Sequence, residues 1–288
     1  MKRYFFLLLS MILFGVAATG AQVIKNKTFV DQSYRNVKTV KVVQTALDVR
    51  IARGAGDNTA VKCHVNTMET SDPDYAVEAR LVGSTLEIYE RKSSQRWGSS
   101  FSRVDGYIAI AVPEHVQVIS VSSVSGDVSV RDCEVENLSL KTVSGDVCLE
   151  NIVSSLAVAS TVSGDVSLRA ARGNKITVNT VSGDILGKEG ASPAVDFALV
   201  SLGSTSGDVY VQIGPSVKQT AFKSVSGDLR LCFKGDLMRN AYTLGAVSGD
   251  IVVSSYAKAR RKLEIQPENP LVDVRANTVS GDIYVLNY

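Results

Sequence analysis

Ser-Gly-Asp occurs eight times in this chain, ending at Asp127, Asp146, Asp165, Asp184, Asp208, Asp228, Asp250 and Asp282. Carboxylates repeated in this way could do three things. Gathered in a cleft, they could serve as acid and base on a polysaccharide. Stacked in a column, they could share cations, since calcium takes several carboxylate and carbonyl oxygens. They could also do no chemistry and accept hydrogen bonds from nearby backbone amides, as Ser and Asp do at turns. The intervals are 19, 19, 19, 24, 20, 22 and 32 residues, so the acids recur by period and do not cluster. The nine-residue glycine-rich calcium repeat is missing, and each copy supplies one regularly placed carboxylate. The expectation is therefore an architectural motif made of Gly126 and Asp127, Gly145 and Asp146, Gly164 and Asp165, Gly183 and Asp184, Gly207 and Asp208, Gly227 and Asp228, Gly249 and Asp250, and Gly281 and Asp282. Each glycine would sit where a side chain crowds the core or where φ is positive. No catalytic residue, cofactor or metal site is expected.

Other reactive side chains are few. Cys63, Cys133, Cys148 and Cys232 allow three full disulfide pairings. Placed on their repeats, Cys148 and Cys232 fall too far apart to bridge, and mostly free thiols are expected. His64 and His115 share no ligand spacing with them and read as surface residues. Arg96 and Trp97, in the polar run "SSQRWGSSF", are candidate partner contacts, against the plainer reading of a tryptophan tucked under its own loop. The basic run "KARRK", residues 258–262, reads as a solvated loop.

The elements that would hold these residues follow from alternation. One and three residues after each aspartate the chain is apolar in nearly every copy, as in Val147 and Leu149, with a polar residue often between. Three residues before it stands valine in seven copies and Thr205 in the eighth. Period two with β-branched residues predicts strands, with these valines assigned to the buried side. A repeat near 20 residues that cannot bury its own apolar face predicts a stacked array. The fold class expected is all-β: a single-chain parallel β-solenoid of about eight such rungs over residues 121–288. An antiparallel meander with a hairpin turn at each motif is the alternative. Residues 22–120 hold less regular strand-like runs and are expected to form a β-rich N-terminal cap, as irregular rungs or a small sandwich. The final repeat stops six residues beyond Asp282, so the C-terminal edge is expected either to be covered by residues near 254–271 or to self-associate.

Residues 1–21 have the form of a secretory signal peptide: Lys2 and Arg3, an apolar run from Tyr4 to Val16, and small residues around Ala21. No membrane span is expected after cleavage. Removing this segment leaves 29 basic and 29 acidic side chains, and no basic run interleaves with aromatics, which argues against nucleic acid.

The array led by "DGYIAIAVPEHVQVISVSSVSGDVSV" resembles the bacterial putative-adhesin family of exported β-solenoid proteins, over roughly residues 40–288. It is similar in style to the head domains of autotransporter adhesins. The resemblance implies an exported, periplasmic or surface protein that is not an enzyme, and whose partner is a surface, a polysaccharide or a protein. It brings no catalytic residues. A carbohydrate-active β-helix enzyme is the alternative.

Overall fold

The computed structural model describes residues 25–67, 76–91, 105–187 and 194–288. The signal segment and the candidate contacts Arg96 and Trp97 lie outside the described residues. What is described is all-β, with one short 3-10 turn at Leu237–Arg239.

The first seven strands are β1 (Lys25–Tyr34), β2 (Thr39–Val43), β3 (Asp48–Arg53), β4 (Thr59–Thr67), β5 (Ala76–Val82), β6 (Thr85–Arg91) and β7 (Asp105–Val112). The repeats then alternate two strand types. The first of each pair are β8 (Val118–Ser122), β10 (Glu134–Lys141), β12 (Val153–Ser160), β14 (Ala171–Asn179), β16 (Val195–Gly203) and β18 (Gln219–Lys223). The second, after the Ser-Gly-Asp corner, are β9 (Val128–Arg131), β11 (Val147–Glu150), β13 (Val166–Arg169), β15 (Ile185–Gly187), β17 (Val209–Ile213) and β19 (Leu229–Phe233). The chain ends with β20 (Ala241–Val253), which itself spans a corner, then β21 (Ala257–Ile265), β22 (Asp273–Ser280) and β23 (Ile283–Asn287).

Strands of one type stack in parallel on the next copy. Within the 19-residue repeats the register carries each residue onto its equivalent, as in Leu140↔Ala159↔Val178 and Val128↔Val147↔Val166. The inward positions are apolar and closed: Leu138, Leu140, Val147 and Leu149 are at most 1% exposed. Each such side chain contributes roughly 1.5–3 kcal/mol on burial. Fixing the backbone costs about 1–2 kcal/mol per residue, so a lone coil gains little and the stack supplies the stability.

The N-terminal region joins the same ladders. β2 and β3 pair in parallel with β8 and β9, and β6 and β7 pair in parallel with β2 and β3. At both ends the order of coils departs from the order of the chain. β2–β3 lies between β6–β7 and β8–β9. β22–β23 lies between β18–β19 and β20. The final strand β23 is therefore paired on both sides and is not the edge. The 32-residue interval before Asp282 is the detour that makes this possible.

Antiparallel strands cover both outermost coils: β5 on β6, β4 on β7 and β1 on β4 at one end, β21 on β20 at the other. Only an antiparallel partner can follow through a tight turn, here Ser254–Tyr256. The "KARRK" run is thus part of strand β21 and not a loop. Its Lys258, Arg260, Arg261 and Lys262 charge the outer strand, and Arg261, at φ 72°, interrupts the register. Charge and a bulge both blunt an edge against further pairing.

Candidate functional site: the Ser-Gly-Asp corner and its groove

The corner accounts for its backbone groups one by one. In the coil of Asp146, the N–H groups of Val143 and Ser144 donate to Val124 O, at 3.2 and 2.8 Å. The Gly145 N–H donates to Thr142 Oγ1 at 3.1 Å, and Gly145 O accepts from Thr161 Oγ1 of the next coil at 3.2 Å. The Asp146 N–H donates to Asp127 Oδ1 at 2.8 Å, and Asp146 Oδ1 accepts the Asp165 N–H at 2.8 Å. Where the chain turns between two sheet ladders, an amide would otherwise be left without an acceptor.

This carboxylate ladder runs through Asp184, Asp208, Asp228, Asp282 and Asp250, each link 2.8–2.9 Å. Its first member is Asp48, which accepts the Asp127 N–H at 3.2 Å. Sequence reasoning missed Asp48 because Leu47 stands in the glycine position; the signal was the apolar alternation in "LDVRI". Outward oxygens near the ends meet partners: Arg50 on Asp48, Arg230 on Asp228, Tyr284 on Asp282, and Lys258 and Arg260 on Asp250. The Asp250 N–H and the Tyr284 hydroxyl together hold the Asp282 carboxyl below its usual range.

Space, not conformation, makes the glycine necessary. None of the eight has a positive φ. A Cβ at Gly145 would stand 2.2 Å from Gly126 O, one at Gly164 2.0 Å from Gly145 O, and one at Gly183 1.9 Å from Gly164 O. Each glycine faces inward, onto the carbonyl of the coil beneath.

The valine before the triplet is where the structure corrects the alternation argument. Val124, Val143, Val162, Val181, Val225 and Val279 are 44–48% exposed and Val247 is 67% exposed. The chain bends between valine and glycine, so counting by two across the corner gives the wrong face. The buried residue is the one before it: Ser123, Thr142, Thr161, Thr180, Ser204, Ser224 and Thr278 are 4–7% exposed. Most of these hydroxyls bind glycine backbone, but Ser224 Oγ is buried without a partner. The valines form an apolar ridge along the outside of the stack.

Beside this ridge, toward the C-terminal end, lies an open groove of about 1000 Å³. Val181, Thr205, Val225, Val279 and Val247 line one side of it. Asn179, Gly203, Lys223, Asn277 and Gly245, the last outward residues of five adjoining strands, line the other. Over the two glycines in that second wall lie the side chains of Asn179 and Asn277, their Oδ1 atoms 3.1 and 2.7 Å from where a Cβ would stand. Arg261 of the covering strand also lines the groove. Among the described residues neither Lys223 nor Arg261 has an ion-pair partner.

Tyr210 and Tyr284 are separated by one strand. Both face Arg230 in register, and the guanidinium lies 5.7 Å from the Tyr284 ring centroid. The out-of-order coil brings them together. All four thiols are free. Burial pushes Cys63 and Cys133 up to about 12, while Cys148 is only half-buried on an outward position. Among the described residues no cluster of three or more His, Cys, Asp or Glu side chains is arranged to hold a metal ion, and no helix is long and apolar enough to cross a membrane.

Among curated proteins, none matches this sequence. Solved structures do. A "putative adhesin" from Bacteroides fragilis NCTC 9343 superposes with a TM-score of 0.52 at 13% identity, over 92% of this chain and 97% of the other. A "putative lipid binding protein" from Parabacteroides distasonis ATCC 8503 gives 0.48 at 15% identity, over 90% and 96%. A "putative adhesin" from the same strain gives 0.47 at 11% identity, over 93% and 98%. At these identities the first likeness establishes a shared fold and nothing further. The family model of Toastrack DUF4097 matches residues 37–286, nearly the whole described chain, and the chain therefore belongs to that family.

Proposed function

We propose that this chain is an exported, non-catalytic binding protein of adhesin type, built as a parallel β-solenoid. In this reading the Ser-Gly-Asp corners are architectural and the valine ridge with its groove is the contact surface. The observation that carries it is the ridge itself: seven valines, 44–67% exposed, in one column. Contiguous apolar surface on a folded protein marks an interaction site far more often than chance. A solenoid also exposes long uniform faces, which suits contact with an extended partner.

The corner carboxylates support the non-catalytic half of the proposal. Their Oδ1 atoms accept backbone N–H groups, a role that fixes them in place and ties them to folding. The N-terminal leader pattern and the fold shared with a putative adhesin both favour an envelope location. Self-association through the C-terminal end becomes the weaker partner reading, since β21 is charged and bulged.

The test is attachment of the purified chain, lacking residues 1–21, to isolated cell envelopes. Val225→Asp with Val279→Asp is expected to abolish attachment while leaving the unfolding midpoint near that of the parent. Attachment indifferent to both valines would reject the surface. Release of reducing ends or unsaturated products from a polysaccharide panel would reject the non-catalytic reading and favour a β-helix enzyme.

A further inference from the structure

We infer that the groove beside the ridge binds the free form of a linear anionic amphiphile, a single acyl chain ending in a carboxylate. This rests on the reading of the ridge as a contact surface and names what occupies its C-terminal half.

Three observations set the shape and chemistry of the occupant. The groove crosses five coils, from Asn179 and Val181 to Gly245 and Val247. At about 4.8 Å per coil that is roughly 19 Å, the length of one extended long-chain molecule. Its width is one side chain, between the ridge and the outward residues of the first-type strands. A stable protein partner needs about 800 Å² on each side, far more than a strip this narrow offers. A chain fits where a protein face does not.

One wall is aliphatic and the other polar. Valine methyl groups form the aliphatic wall, and in the other wall the Asn179 and Asn277 side chains lie over Gly203 and Gly245. A Cβ at Gly245 would already meet Asn277 Oδ1 at 2.7 Å. Among the described residues the lining contains no aromatic ring, and rings are what a sugar platform would use to stack. This disfavours a polysaccharide here.

The charge is one-sided. Lys223 stands mid-groove and Arg261 at the covered end, both exposed, and among the described residues no acidic side chain lines the groove. Arg261 reaches this place because the outer strand breaks register opposite the last corner, between Gly245 and Asp250. A guanidinium free of a carboxylate partner offers two parallel donors to a carboxylate, and Lys223 adds a second positive charge. The predicted pose puts the head at Arg261 and the chain along Val247, Val279 and Val225.

The experiment is titration calorimetry of the full mature chain with dodecanoate below its micelle concentration. Dodecyltrimethylammonium and acetate are the comparators. Dodecanoate is expected to saturate one site per chain. The cationic amphiphile should bind at least about tenfold more weakly, and acetate should show no saturation. Lys223→Ala with Arg261→Ala should cost about tenfold for dodecanoate and leave the cationic amphiphile unchanged. Val225→Asp with Val279→Asp should remove binding, and Val143→Asp, on the same ridge outside the groove, should not. Unfolding midpoints check that each variant folds. No saturable dodecanoate binding, equal affinity for both amphiphiles, or equal loss in Val143→Asp would each overturn the inference. Should dodecanoate fail while the valine pair still controls envelope attachment, only the ligand is wrong; should attachment ignore the valines, the surface itself is wrong.

Discussion

The coils of Asp127 to Asp184 and the coils from Asp208 onward share one corner sequence but use it differently. In the first group the spacing is a constant 19 residues, every corner hydroxyl has a partner, and outward positions before the corner carry side chains such as Lys141 and Asn179. In the second group intervals vary and the coil order reverses. Ser224 Oγ is orphaned, and glycine stands at the outward position of two coils, Gly203 and Gly245. The regular group shows what the motif is for when nothing else is asked of it. The irregular group shows where the fold departs from its own rule, and it holds four of the five coils along the groove.

The largest effect expected from breaking this contrast is at glycine. Gly164→Ala drives a Cβ to within 2.0 Å of the backbone oxygen of Gly145, and no flexible side chain can yield. A loss of about 3 kcal/mol or more is expected in urea unfolding, as for a severe overpacking change. Gly203→Ala meets only Asn179 Oδ1 at 3.1 Å, which can swing away. It should change stability by less than about 0.5 kcal/mol. Equal costs at the two sites would refute the distinction drawn here between corner and groove glycines.

Next comes the carboxylate ladder. Asp165→Ala leaves the exposed Asp184 N–H to water and should cost about 0.5–1.5 kcal/mol. Asp165→Asn keeps an oxygen in place and should cost less. If both variants cost nothing, the ladder hydrogen bonds are ornamental.

Acid should weaken the ladder at Asp282. The folded-state carboxyl of Asp282 is held below its ordinary value, first by the Asp250 N–H and then by the Tyr284 hydroxyl. Its contribution is therefore fully present above the unfolded carboxylate value of about 3.9 and is lost as pH falls through the lower folded value. Asp282→Asn should flatten the acid limb of a stability–pH curve. An unchanged limb would count against this assignment.

Thiol access gives a gentler comparison. In the native protein Cys148 should react with an alkylating reagent well before Cys63 and Cys133, whose thiols burial pushes up to about 12. All should react after unfolding. The smallest effect belongs to the ridge. Val162→Ser, at a residue 44% exposed, should shift stability by no more than about 0.5 kcal/mol. Leu149→Ala, two strand positions past its corner and 1% exposed, should cost about 2–5 kcal/mol.

Much of this was legible in the chain. The 19-residue period and the alternation after each aspartate determined the strands, the inward residues Val147 and Leu149, and the inward glycine. Those features depend on local geometry that each copy repeats. The valine ridge was misread because alternation holds only along a straight strand, and the corner bends between Val143 and Gly145. Asp48 was hidden because its coil keeps the carboxylate and drops the glycine. Tertiary structure alone decided the rest. The insertion of β22–β23 beneath β20, the meeting of Tyr210, Arg230 and Tyr284, and the reach of Arg261 into the groove all depend on which coil stacks on which. Copies nearly identical in sequence present nearly identical edges to one another. Their order is therefore fixed by the lengths of the connections and by the need to cover the last open edge, neither of which any single repeat encodes.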